Sequence, residues 1–373
     1  MIESLAPAGA EQVLLETLPA MANIGVVGDV AVLWPPYDLA ISLRERGTRV
    51  QELDIPSTWS VRRGRSALQR LAAEGQYDLI HAHLPMAVFY SAIVRGPVPV
   101  VATFHGLSFE YYPASTIFKK MRRIAERWWT NHCIDSFIAV SCAVADHYSQ
   151  VLHIPREKIE IIPNGFPVKT LIRNPALDVP SVRRTLGFAA EDFLLLHVGR
   201  FVRQKGHMHL LRAVQELTRR GLKFKLLLLG QGPMRAELES FLGLHHLDEL
   251  VKICAPVSHP ELLKVLQASD LFVFPSVSEG FGMAAGEAMC MGVPVVASNL
   301  PGIASLIEDE VSGVLVPPGD PEALATAIER LATDPATRYR LAAEARKRIE
   351  QEFSIEKIAL KIANVYRRLL RID

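Results

Sequence analysis

Leu271-Phe-Val-Phe-Pro-Ser-Val-Ser-Glu-Gly-Phe-Gly-Met-Ala-Ala-Gly-Glu287 is the stretch whose reading decides the fold. Its first four residues, Leu271–Phe274, have the length and apolar character of a buried strand. The following turn carries Gly280 and Gly282, which permit a tight bend and close backbone approach. A helical pattern then begins near Met283. A strand turning directly into a helix is half of a βα unit, and that half recurs along the chain. Apolar runs at Asp78–Ala82, Val98–Thr103, Ser136–Val140, Phe193–Val198, Phe224–Leu229 and Val293–Ala297 are each followed by a turn and an amphipathic stretch. Short β-rich runs alternating with helical patterns predict parallel sheets covered by helices, an α/β class.

With 373 residues the chain suits two such domains rather than one core. The segment Ile162–Val182 (IPNGFPVKTLIRNPALDVPSV), rich in Pro and Asn, reads as the linker between them. Beyond a turn at Gly319-Asp320-Pro321, a charged helical tail is expected over Asp334–Asp373. At the front, an opening strand has room only over Ile2–Leu5 before Ala8-Gly9-Ala10-Glu11 and a helical run. Composition excludes several classes. Hydrophobic residues make up 49% and charged residues 22%, a globular balance. A formal net charge of +1 gives no field for nucleic acid. Cys133, Cys142, Cys254 and Cys290 show no CxxC spacing, so buried reduced thiols are expected. No apolar run approaches the roughly 18–20 residues of a membrane span, and the first residues lack the layout of a signal peptide. A cytoplasmic location is the expectation.

Three constellations carry chemistry. In the opening stretch, Gly280, Phe281 and Gly282 lead to a helix start at Met283 whose free N–H groups suit a phosphate. Glu279 precedes this helix and Glu287 lies about one turn into it. Carboxylates so placed can hold sugar and ribose hydroxyls, although two solvated glutamates at a helix start fit the same residues. The second constellation is Gly199-Arg200-Phe-Val-Arg-Gln-Lys205-Gly206, after the run Phe193–Val198. Cations at the carboxyl end of a parallel strand face the crevice where such sheets bind ligands, and two of them could neutralise a departing diphosphate. An ordinary basic loop is the competing reading. Third is His105 in Val101-Ala-Thr-Phe-His-Gly106, where a lone histidine more often serves structure. His81 and His83, two apart, share one strand face, but no carboxylate or cysteine stands near them to complete a metal site. Gly230-Gln-Gly232-Pro-Met-Arg235 begins like a dinucleotide fingerprint and has Arg235 at the third glycine position, so a turn allowing backbone near a nucleotide is the better reading. Finally, Ile117–Trp129 (IFKKMRRIAERWW) interleaves Lys119, Lys120, Arg122, Arg123 and Arg127 with Phe118, Trp128 and Trp129. That pattern suits an anionic membrane surface or a solvated helix with buried aromatics.

Together these residues resemble family 4 of the retaining glycosyltransferases. The resemblance covers nearly the whole chain: AGAE at 8–11, the HAH and TFHG strand ends, IPNG at 162–165, GRFVRQKG, LLGQGP, EGFGMAAGE and Gly313-Val-Leu-Val-Pro-Pro-Gly319. It implies the GT-B fold, two Rossmann-like doubly wound domains facing across an interdomain cleft. The first, 1–170, would read the acceptor and be completed by a C-terminal helix, 355–373. The second, 171–354, would bind the donor. By the resemblance, Arg200 and Lys205 hold the donor diphosphate, Glu279 the sugar hydroxyls and Glu287 the ribose. His105 lies beside the reacting centre, Gly9 brings backbone N–H groups to the phosphates, and Val257 contacts the base. Gly232 and Gly280–Met283 complete the donor contacts. No metal or other cofactor is expected.

The activity so implied is metal-independent transfer of a hexose-type sugar from a nucleoside-diphosphate sugar. The acceptor would be a hydroxyl of a glycan, lipid-linked or small-molecule compound in cell-surface polysaccharide or glycolipid synthesis. Acceptor groups would come from Trp34–Tyr37 and Ser108–Pro113. Peripheral membrane contact would come from 117–129. Departures from the family pattern are Ala8-Gly9 for two glycines, Pro301-Gly302-Ile303-Ala304-Ser305 for Gly-Gly-Ile-Pro-Glu, and Ala255-Pro256 for Gly-Arg. The first two motivate one alternative, a catalytically silent partner subunit; a nucleotide-sugar epimerase on the same fold is a second, which would form product without an acceptor.

Overall fold

The computed structural model describes residues 1–6, 9–56, 60–94, 98–107 and 117–372, the side chains of 61, 72, 94 and 117–123 aside. The chain divides into two compact units, Met1–Gly165 with Phe353–Asp373, and Phe166–Glu352.

Among its described residues the first unit has six strands, all in parallel pairings: β1 (Val30–Val32), β2 (Val50–Glu52), β3 (Ile80–His83), β4 (Val100–Phe104), β5 (Ser136–Ala139) and β6 (Ile159–Ile161). β1 and β2 form one pair, and β3 to β6 run in order in a second sheet. Met1-Ile2 lies between the two sheets. Ile2 N donates to the Ala31 carbonyl at 3.0 Å, Leu33 N donates to the Ile2 carbonyl at 3.1 Å, and His83 N donates to the Met1 carbonyl at 2.9 Å. The opening strand expected over Ile2–Leu5 is thus a single bridge, Ile2 to Val32. Leu5 N already turns away to the Pro36 carbonyl.

The charged helical tail expected over Asp334–Asp373 consists of two helices, Pro335–Glu352 and Ile355–Leu370. Ser354 breaks them with an extended backbone and stands at the start of the final helix, beside buried Phe353. The break coincides with the return to the first unit. There Ile355, Ala359 and Ala363 pack on Ala20 and Met21 of the helix Gly9–Ala22, while Ile358 and Val365 pack on Val101, Ile138 and Ile162. The Pro-rich segment 162–182 also differs from expectation at its end, where a helix, Val179–Thr185, starts. Asp178 accepts from Ser181 N to cap it, and Pro180 lies in its first turn, where its missing N–H costs nothing.

The second unit is one six-stranded parallel sheet of β7 (Leu194–Val198), β8 (Lys225–Leu229), β9 (Val251–Cys254), β10 (Leu271–Phe274), β11 (Val295–Ser298) and β12 (Val314–Val316). Its order is β12-β11-β10-β7-β8-β9. The chain therefore runs outward from β7 to β9 and returns to β10 on β7's other side. The junction of β7 and β10 is the point where strand order reverses, and ligands of doubly wound sheets bind at the carboxyl ends of the strands there. Leu195, Leu226, Leu228, Leu271 and Val273 fill the core beneath it.

One ion pair, its arginine buried, ties the helix Val179–Thr185 to the amino ends of the central strands β7 and β10. Arg183 Nη2 lies 2.7 Å from Asp270 Oδ2, and the same guanidinium donates to the carbonyls of Ala268, Ala190 and Asp192. Arg183→Ala leaves Asp270 without its ion-pair partner and should lower unfolding stability by about 3 kcal/mol in a denaturant titration. A loss below about 1 kcal/mol would show the pair to be dispensable.

Candidate active site

The loops after β7 and β10 are locked together by backbone. Val277 N donates to the Gln204 carbonyl at 2.8 Å. Gly206 has φ +70°, and a Cβ there would stand 1.8 Å from the Pro275 carbonyl oxygen. No side chain fits at that crossing. It places Lys205, at the end of a short 3-10 turn, against Glu279, and the two side chains form an ion pair, 21% and 16% exposed. Lys205 Nζ also sits 5.2 Å from the centre of the Phe274 ring. Arg200, six residues before the Gly206 crossing, is exposed and makes no ion pair among the described residues.

The loop after β10 then enters the helix Met283–Cys290 through Gly282, whose φ is +97° and which offers no side-chain cap. The first N–H groups of that helix, beginning at Met283, are left for a ligand or solvent. Phe281 is buried beside them. Gly280 and Glu279 turn their carbonyls toward Gly302, where a Cβ would approach to 2.6 and 2.5 Å. The changed Pro301–Ser305 turn thus keeps the one residue this contact requires. Gly232 packs its backbone against Phe201 with φ +156°, and Phe201 N donates to the Gln231 carbonyl at 2.8 Å. Val257, 38% exposed, follows β9. All of these residues stand at the carboxyl ends of β7 to β11.

Two results lay outside the sequence reading. Lys205 and Glu279, expected to serve different parts of a donor, neutralise each other in this structure. Glu287 is partnered as well, with His259 Nε2 3.4 Å from its Oε1. Ser258 and Glu261 form a capping box that starts the helix His259–Ala268, so His259 lies just past Val257. The capping pattern Ser-His-Pro-Glu was the sequence signal that could have placed it.

In the first unit, Gly9 opens the helix Gly9–Ala22 and is exposed, while Ala8 lies outside the described residues. His105 follows β4, and its Nε2 lies 2.9 Å from His83 Nδ1. His81 is held by Tyr366 and Thr103. Among the described residues no group of three or more His, Cys, Asp and Glu side chains gathers as a metal set. A cavity of about 660 Å³ lies in this unit, with His81, His83 and His105 among its lining and Leu14, Met21, Ile358 and Ile362 among its apolar wall. Tyr37 of the expected acceptor loop donates its hydroxyl to Asp54 at 2.6 Å. The other expected loop, Ser108–Pro113, is outside the described residues.

In the helix Ile117–Cys133, Ile124 and Trp128 are 69% and 53% exposed on one face, beside exposed Arg127. Lys119, Lys120, Arg122 and Arg123 have side chains outside those described. Among the described residues no helix is long and apolar enough to cross a membrane. The four thiols divide: Cys133 and Cys290 are buried as expected, whereas Cys142 is exposed and Cys254 half-buried.

Beneath the Lys205 loop lies a buried imidazole pair. His197 Nδ1 contacts the Val273 carbonyl at 2.8 Å, and the His207 ring stands edge-on to it at 4.6 Å. Burial, followed by repulsion from Lys205, pushes the His207 pKa from 6.5 down to about 4. An unfolded chain would protonate this ring near pH 6.5, the folded chain only near 4. Stability from His207 is therefore complete above that upper value and is lost as pH falls through the interval, by up to about 3 kcal/mol. Denaturation midpoints measured between pH 7 and 4 should fall, and His207→Phe should flatten the decline. Gly206→Ala should cost more than about 2 kcal/mol, because both φ and the Pro275 contact oppose it. Wild-type stability in that variant would contradict the loop crossing described above.

The family described as Glycosyl transferases group 1 matches residues 178–348, and Glycosyltransferase Family 4 matches 7–170. A D-inositol 3-phosphate glycosyltransferase of Saccharomonospora viridis is 31% identical over 79% of this chain and 70% of its own. The alpha-D-kanosaminyltransferase of Streptomyces kanamyceticus is 27% identical over 94% of this chain and 97% of its own. Among solved structures, Anabaena HepE in complex with UDP-glucose matches with a TM-score of 0.85 at 24% identity, covering 98% of each chain. Two Rossmann-like parallel-sheet units, the loop motifs at the strand-order reversal and these likenesses converge, and the chain belongs to family 4 of the glycosyltransferases, with the GT-B fold.

Proposed function

We propose that this glycosyltransferase is a retaining, metal-independent enzyme that moves a hexose-type sugar from a nucleoside-diphosphate sugar to an acceptor hydroxyl. The observation that carries the reading is the Lys205–Glu279 pair at the strand-order reversal, flanked by unpaired Arg200 and the uncapped helix start at Met283. A diphosphate placed there meets a free guanidinium, an ammonium and backbone N–H groups, which supply the charge neutralisation otherwise taken from a metal. Donor binding would exchange the Lys205–Glu279 pair for Lys205 on phosphate and Glu279 on sugar hydroxyls. Glu287, oriented by His259, would take the ribose, and the base would meet the backbone near Val257. In the retaining step the departing β-phosphate oxygen accepts the acceptor's proton as the new glycosidic bond forms. Arg200 and Lys205 stabilise the charge left on the diphosphate.

UDP-sugars head the donors to test, since UDP-glucose is the ligand named for the Anabaena structure. The acceptor class proposed is a glycan, a lipid-linked glycan or a small hydroxyl compound. Working at a cytoplasmic membrane surface is proposed from the exposed Ile124, Arg127 and Trp128 face. Calorimetry with UDP-, GDP- and ADP-sugars should give one donor bound tighter than about 1 mM. Arg200→Ala should cut turnover of that donor about 100-fold. Wild type that binds none of them sinks the reading and leaves the silent-subunit alternative, and product formed without acceptor favours the epimerase. Turnover that survives a chelator supports the metal-free step, whereas loss rescued by added Mg²⁺ overturns it.

A further inference from the structure

His83 Nδ1 and His105 Nε2 are 2.9 Å apart, and the two rings stack at 5.2 Å with 26° between their planes. The contact follows from sheet register. β3 and β4 pair with His83 opposite Thr103, and His105 lies two residues beyond Thr103. His83 is only 8% exposed, and His81 packs on it with ring centres 4.2 Å apart. His81 in turn is fixed at both nitrogens, by the Tyr366 hydroxyl at 2.5 Å and by Thr103 Oγ1 at 2.6 Å. Tyr366 belongs to the final helix. Three imidazoles therefore form a row braced at one end by that helix and ending at His105.

Burial is the largest cause that lowers the proton affinity of all three rings. The neighbouring imidazoles add to this, since a charge on one ring opposes a charge on the next. The contact between His83 and His105 is thus one between neutral rings, and a neutral imidazole has one N–H and one lone pair. Whichever ring donates, the bond at Nε2 fixes the state of the other His105 nitrogen. That nitrogen, Nδ1, is buried and makes no hydrogen bond of ordinary geometry, while the Asn164 side chain is the polar neighbour that favours the protonated ring.

We propose that His83 is a positioning residue: it holds the His105 ring in one orientation and one tautomer, leaving Nδ1 as the nitrogen presented to the substrate. This rests on the transferase reading above, together with the family resemblance, which sets His105 beside the reacting centre. The sequence showed His83 only as half of a His-x-His pair, and the structure gives it a partner on the neighbouring strand.

The test compares wild type with His83→Leu, which removes the contact, and His83→Asn, whose amide occupies the Nδ1 position. Ring-nitrogen NMR of His105 reads the tautomer, and kinetics read the consequence. The NMR should show one tautomer in wild type and His83→Asn, and an averaged mixture in His83→Leu. In His83→Leu, kcat should fall about 30-fold while the donor KM moves less than about threefold, and His83→Asn should recover to within about fivefold of wild type. Adding His83→Leu to His105→Ala should cost nothing further. Unchanged His105 signals in His83→Leu would overturn the proposal whatever the activity, as would an additive double variant. Full turnover by His105→Ala would instead sink the catalytic reading of His105, and the NMR comparison would still decide whether His83 fixes the ring.

Discussion

The site in the second unit depends on one steric constraint: two loops cross backbone to backbone at the junction of β7 and β10. Gly206 sits against the Pro275 carbonyl so closely that no side chain can intervene. Gly302 repeats the device behind Glu279 and Gly280. Lys205, Glu279 and the helix start at Met283 inherit their positions from these contacts rather than from long-range charge. Rigid backbone at the carboxyl ends of a parallel sheet is what lets a few flexible side chains act at a defined place.

Charge is arranged economically within this frame. Lys205 and Glu279 satisfy each other, and Glu287 has His259. Arg200 is exposed and makes no ion pair among the described residues. A half-buried ammonium left alone would be costly, so the ion pair stores both charges in a form that a polyanionic ligand with hydroxyls can exchange for better partners. The first unit solves a different problem. It packs three histidines in a row, His83 buried and His81 and His105 half-buried, and desolvation opposes charge on all three, so hydrogen bonds rather than charge set their geometry.

Sequence reasoning reached the parts governed by local pattern. Phe193–Val198, Phe224–Leu229 and Leu271–Phe274 were legible because fully buried parallel strands are unbroken apolar runs. Val50-Gln-Glu52, Ile159-Glu-Ile161 and Val251-Lys-Ile-Cys254 escaped notice, since strands exposed on part of one face carry charged or polar residues. Nothing in Phe353-Ser354 resembles a strong breaker, and it is the start of packing on the first unit that divides the tail there. Arg200, Lys205, Glu279 and Glu287 were visible from glycine spacing and family resemblance. Their pairings were not, because Lys205–Glu279 and His259–Glu287 join segments far apart in sequence, as His83–His105 joins neighbouring strands. Such contacts are set by sheet order and register, which one sequence does not display.

The most direct test of the account is a crystal structure of the full chain with a nucleoside diphosphate bound. The account predicts diphosphate density at the carboxyl ends of β7 and β10, within hydrogen-bond reach of the Arg200 guanidinium and the N–H groups at Met283, with Lys205 turned from Glu279 toward phosphate. A nucleotide bound elsewhere, or one that leaves Arg200 and the Lys205–Glu279 pair untouched, would contradict it.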